Sequence, residues 1–250
     1  MVKALLVRGM LAGAIAGLFA FGFAYTFGEA EIDYAIAFEQ QQAAHEQAGA
    51  ASSPEHEEEL VSRVVQGGIG LLLAVVIYGA GTGGLFAIAF ALAYGRIGPF
   101  SPRATAALLA AAGFVSVAMI PFLKYPANPP AVGSPETLGN RTALFLIMIA
   151  ISLMAVMLAI GLARRLLARF GPGPSAVIGG AVFVAVIALA YLLLPDVREV
   201  PAQFSADALW RFRAASLGMQ LLMWAVLGLV FSWLAERVLG GADARGVEAG

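Results

Sequence analysis

The chain has 250 residues, of which 60% are hydrophobic and only 12% charged, about half the charged fraction of a soluble domain. A formal net charge of -1 leaves no basic surplus for nucleic acid, and the lack of cysteine excludes disulfides, iron–sulfur ligation, c-type haem attachment and thiolate zinc sites. With a mean hydropathy of +0.85, the composition predicts an all-α, polytopic transmembrane helical bundle in a single membrane domain over residues 1–250.

The first predicted span covers about residues 4–27 and is uncharged after Arg8. It is too long for the apolar core of a cleaved signal peptide. Gly9, Gly13 and Gly17 recur at four-residue spacing, a stripe of small residues that lets a second helix approach closely. The reading is a retained helix.

Residues 28–63 follow as an acidic outside loop. It holds Glu29, Glu31, Asp33, Glu39, Glu46, Glu55, Glu57, Glu58 and Glu59 against Arg63 alone, and both histidines, His45 and His56. Carboxylates with imidazole suit divalent ions such as cobalt, nickel and zinc, and a negative field concentrates cations. If 29–42 is helical, Glu29 and Asp33 share a face. The candidate metal ligands are Glu29, Asp33, Glu39, His45 and His56. The plainer alternative is a solvated acidic loop that binds nothing specific.

The second span covers about residues 64–94. Its middle reads Tyr78-Gly79-Ala80-Gly81-Thr82-Gly83-Gly84. Such a run marks a kink or a packing face; a broken transporter helix is the alternative. The remaining spans are expected at about 104–123, 143–163, 176–194 and 214–235. A Pro-rich outside loop at 124–141 separates the third and fourth, and its four prolines make it extended. Tyr25, Tyr94, Tyr191, Trp210 and Trp233 fall near span ends, as an aromatic belt requires. With both termini cytoplasmic, nine of the 15 Lys and Arg residues fall inside, in keeping with the positive-inside bias.

From the second span to the sixth, no acid, base or histidine lies within the apolar core. Intramembrane ionisable groups normally mark proton relays, so the pattern argues against a proton-coupled pump in this chain alone. The polar side chains there are Gln66, Thr82, Ser116, Ser152, Gln220 and Ser232. The methionines of these spans are read as apolar filler. No glycine loop with G-K-[ST] exists, and no Ser/His/Asp set is suggested, so no enzyme is expected.

Three stretches resemble the CbtA family. One is Phe122-Leu123-Lys124-Tyr125-Pro126-Ala127-Asn128-Pro129-Pro130-Ala131-Val132-Gly133, followed by Pro135-Glu136-Thr137 and Arg141-Thr142. The others are the G-E…A-I-A-x-E segment over 28–39 and the run from Glu59 to Gln66. The resemblance implies a predicted cobalt transporter subunit of the bacterial inner membrane, linked to cobalamin supply. It implies cobalt(II) as the transported ion, no permanently bound cofactor, and a small His-containing membrane partner similar to CbtB. Members often carry a His-rich first outside loop; this chain keeps His45 and His56. The family's accounts also usually give fewer than six spans. Lys124, Tyr125, Asn128 and Arg141 are expected to hold the second loop in position. Besides lipid and that partner, self-association is left open. The alternatives are a non-transporting membrane scaffold for a small partner, or a carrier for another solute such as a corrinoid.

Overall fold

A computed structural model describes residues 2–49, 62–130, 132–133 and 137–248. Among them there is no strand. The helices are α1 (Val2–Phe27), α2 (Glu29–Gly49), α3 (Arg63–Ala93), α4 (Pro102–Lys124), α5 (Leu138–Phe170), α6 (Pro172–Leu193) and α7 (Ala206–Glu248). All but α2 are long and apolar enough to cross a membrane. The first outside segment, expected as a loop, is helical over Glu29–Gly49, because Ala, Glu and Gln are strong helix formers with no proline among them. The fourth span also runs further than its apolar core. Arg164, Arg165 and Arg169 continue α5 as helix to Phe170, giving a rod about 50 Å long at 1.5 Å per residue.

The glycine stripe of α1 meets the glycine run of α3. The two helices lie antiparallel with backbones nearly touching. A Cβ on Gly9 would stand 2.3 Å from the carbonyl oxygen of Gly83, and one on Gly17 would stand 2.7 Å from that of Val75. The run at 78–84 is therefore a packing face, and the helix passes through it unbroken. Helix α7 closes this group. Phe231 packs edge-on against Phe86 and Phe90, each with centroids 5.1 Å away. The Trp224 ring fills the space a side chain would occupy at Gly113 of α4.

A second group joins the later part of α4 to the α5–α6 hairpin. Ile120, Met148, Ala155, Ile187 and Ala190 are its buried core. Helices α5 and α6 are linked through Gly171, whose φ of +76° a side chain would resist. Both helices leave large apolar residues uncovered, Leu192, Leu193 and Val177 among them. In water such a face invites aggregation; in a bilayer it is the ordinary lipid contact.

Helix α4 belongs to both groups and is irregular where it passes between them. Residues Phe114–Met119 form π-helix, with the N–H of Ile120 donating to the carbonyl of Val115. Pro121 accounts for it. Proline has no N–H for the carbonyl four residues back, and its ring crowds that oxygen; one wider turn relieves both. Neighbouring side chains donate to carbonyls at this turn and just after it. The Ser152 hydroxyl donates to Ser116, and the Tyr191 hydroxyl donates to Ile120 at 2.5 Å. Ser152→Ala should thus cost about 0.6 kcal/mol, the average for hydrogen bonds between membrane helices, and at most about 1.7 kcal/mol. Unfolding in a mixed-detergent titration would check this.

Candidate functional site

The chemistry-bearing residues gather at the end of the bundle that carries α2. Glu29 and Glu31 occupy the first turn of α2, where the helix dipole favours acids. Glu29 and Asp33 share a face and meet one cation: Arg63 donates to Glu29 at 2.5 Å and to Asp33 at 3.2 Å. The Glu29 carboxylate rests against Gly67, where an added Cβ would stand 2.6 Å from it. Glu31 lies 3.5 Å from Arg211, which also pairs with Asp207. Three α2 acids and Asp207 thus share two arginines, so the cluster keeps a net negative charge.

Glu39 and His45 lie further along α2 and are exposed. His45 borders a hollow of about 400 Å³ with Phe38, Gln41, Gln42 and Gln203. His56 lies outside the described residues, as do Glu55, Glu57, Glu58 and Glu59. Of the five candidate ligands, the structure brings Glu29 and Asp33 together at Arg63, and leaves Glu39 and His45 apart from that pair. Among the described residues, no three of His, Asp and Glu converge as a preformed metal cluster.

The Pro-rich segment is fixed by contacts far apart in sequence. Lys124 donates to Asp196 at 2.5 Å and to the carbonyl of Tyr191 at 3.0 Å. The Tyr125 hydroxyl donates to the carbonyl of Pro195 at 2.9 Å; burial pushes its pKa up and keeps it a donor. Arg213 donates to Asn128 at 2.8 Å and to the carbonyl of Ala127 at 3.2 Å. Arg141, in the first turn of α5, pairs with Glu199 at 2.9 Å. Gly133, at φ +131°, sits against this pair, where a side chain would press on both partners. Val132 packs with Ala35, Phe204 and Ala208, tying the segment to α2 and α7.

The hydrogen bond and charge of Lys124 hold the Asp196 carboxyl below its ordinary range. A depressed carboxyl pKa stabilises the fold above the unfolded-state value, and the contribution disappears as pH falls through the folded value. Acidification below about pH 4 should therefore loosen the Lys124–Asp196 contact, seen as faster proteolysis near Lys124. No change in cleavage between pH 7 and pH 3 would contradict it.

Behind the segment lies a cavity of about 430 Å³. It opens between the two helix groups. Its walls come from Tyr78 of α3, Val117 and Phe122 of α4, Arg141 and Phe145 of α5, and Gln220 of α7. Sequence reading named Gln220 as a polar residue without a place for it. It missed Asp196, Glu199 and Arg213, whose partners lie 58 to 85 residues away. The only available signal was their position at span ends.

The model of a family described as "Probable cobalt transporter subunit (CbtA)" matches residues 2–236. Neither the curated proteins nor the solved structures contain a match to the chain.

Proposed function

Because the chain belongs to the CbtA family of cobalt transporter subunits and has six helices able to span the inner membrane, we propose that it takes cobalt(II) from outside the cell at the end of the bundle bearing α2. Both termini are then cytoplasmic, and α2 faces the extracytoplasmic side. The observation that carries this reading is the setting of His45. One imidazole beside the amides of Gln41, Gln42 and Gln203 supplies nitrogen and neutral oxygen donors, a set cobalt(II) accepts. Glu39 adds an unburied carboxylate. His56 and the glutamates around it complete the acidic segment, which draws the cation electrostatically.

Glu29 and Asp33 would act less as permanent ligands than as a store of charge, opened when a divalent ion competes with Arg63. Capture here is transient, as transport requires: binding must be strong enough to enter and weak enough to leave. A small His-containing membrane subunit similar to CbtB would receive or deliver the ion. The segment held by Lys124, Tyr125, Asn128 and Arg141 would shape the entrance.

The His45→Ala/His56→Ala double variant should raise the cobalt concentration for half-maximal uptake by about tenfold, the weight of one or two lost ligand contacts. The maximal rate should stay near wild type. Labelled cobalt uptake in vesicles, with and without the small partner, measures both. Uptake unchanged at every cobalt concentration would end the capture assignment. Partner-dependent assembly without any uptake would favour a scaffold.

A further inference from the structure

We propose that the cavity between the two helix groups is an intramembrane chamber for a divalent cation that keeps most of its water, with Gln220 as the amide that meets the ion. The inference rests on the transport reading and gives it a route beyond the capture surface.

Four observations converge on this cavity. The first is size. A hexaaqua ion needs about 180 Å³ at about 30 Å³ per water, and the cavity holds about 430 Å³. The second is the π-helical wall. Val117 and Ala118 line the cavity. The carbonyl of Val117 lacks its usual α-helical donor, because that residue is Pro121, and the nearer N–H, from Ile120, goes to Val115. Irregular backbone at membrane depth is tolerated where it lines a water-filled cavity, and such carbonyls serve as cation ligands.

The third is hydroxyl orientation. Thr142 and Ser216 line the cavity. Each donates its proton to its own helix, to the carbonyls of Leu138 and Phe212, both at 2.8 Å. Their oxygens keep only lone pairs to offer, which suit a cation or the protons of its water shell. The fourth is Gln220 itself. It borders the cavity while its Oε1 is buried without a hydrogen-bond partner. An unmet buried amide oxygen is costly. The terminal amide turns about a soft torsion, so rotation presents that oxygen to an ion in the chamber.

The charges fit a hydrated guest better than a bare one. Arg141 lines the cavity but is neutralised by Glu199. Arg213 stands at the rim, bound to Asn128 and Ala127. A water shell holds an entering ion away from that guanidinium, and the repulsion falls with distance and with the dielectric between them.

The absence of cysteine makes the test clean. Ser216→Cys, placed in the full chain, should react with a membrane-impermeant thiosulfonate, and the reaction should block labelled cobalt uptake. Leu229→Cys, on the lipid face at 71% exposure, should react slowly and leave uptake intact. In parallel, Gln220→Leu should lower the maximal uptake rate by about tenfold or more, as loss of a hydrogen bond to a charged species does. The half-saturating concentration should not move, unlike in the histidine variant. Equal uptake by folded Gln220→Leu and wild type, or a Ser216→Cys protein no more reactive than Leu229→Cys, would overturn the chamber. If wild type takes up no cobalt, the transport reading itself fails. If wild type transports and only the Gln220 and Ser216 results are negative, the chamber alone fails.

Discussion

Gly13→Ala should separate α1 from α3 and lower stability by about 3 kcal/mol, at the upper end of the usual overpacking range. The added Cβ would lie 2.0 Å from the carbonyl oxygen of Gly79 and 2.9 Å from the Cα of Gly83. Both are backbone atoms on a helix, so no rotamer change relieves the clash. The helices must move apart, and the close contacts along Gly9, Gly13, Gly79 and Gly83 go with them. In lipid those contacts are what holds the pair, since burying apolar surface gains little against acyl chains. Gly22→Ala is the control. Nothing lies within 4 Å of a Cβ there, and alanine is the better helix former by about 1 kcal/mol. Thermal denaturation in detergent should rank Gly22→Ala at or above wild type and Gly13→Ala far below.

Arg141→Ala should cost about 3–5 kcal/mol, the usual result of leaving one member of a buried ion pair alone. The Glu199 side chain is only 6% exposed, and its second oxygen already has no hydrogen-bond partner. Without Arg141 a carboxylate stays buried with no compensating charge. The double variant Arg141→Leu/Glu199→Leu should recover much of the loss, because an apolar pair of similar bulk removes the desolvation penalty with the charges. Arg141→Lys should fall between, since a lysine ammonium lacks the planar fork of guanidinium. Equal destabilisation in the single and double variants would show that the ion pair is not what orders Gly133 and the segment before it.

The spans were readable because a bilayer imposes one rule: about 20 apolar residues, with charge held to the ends. Gly9, Gly13 and Gly17 also announced a close helix contact, and the run at 78–84 supplied its other half. Helix α2 was harder to see. Its large apolar residues are confined to 32–38 among acids and glutamines, too short a run for a clear periodic stripe; Ala35, Phe38 and Tyr34 hold it through contacts with Phe204. The pairing of Arg63 with Glu29 and Asp33 could not be read, because it joins residues 30 and 34 apart through the folded chain. The cavity was invisible for a similar reason. Tyr78, Val117, Arg141 and Gln220 come from four different helices, and no local spacing records their convergence.

The two proposed cobalt positions, on α2 near His45 and in the chamber beside Gln220, are both reached from the same end of the bundle. Anomalous diffraction at the cobalt edge, from crystals of the chain loaded with cobalt(II), tests this most directly. Peaks are expected in the hollow between His45 and Gln203 and in the cavity bounded by Val117 and Gln220. A tightly coordinated ion between α5 and α6, or at the opposite end where Arg103 pairs with Glu236 at 2.7 Å, with neither of those sites occupied, would contradict this placement.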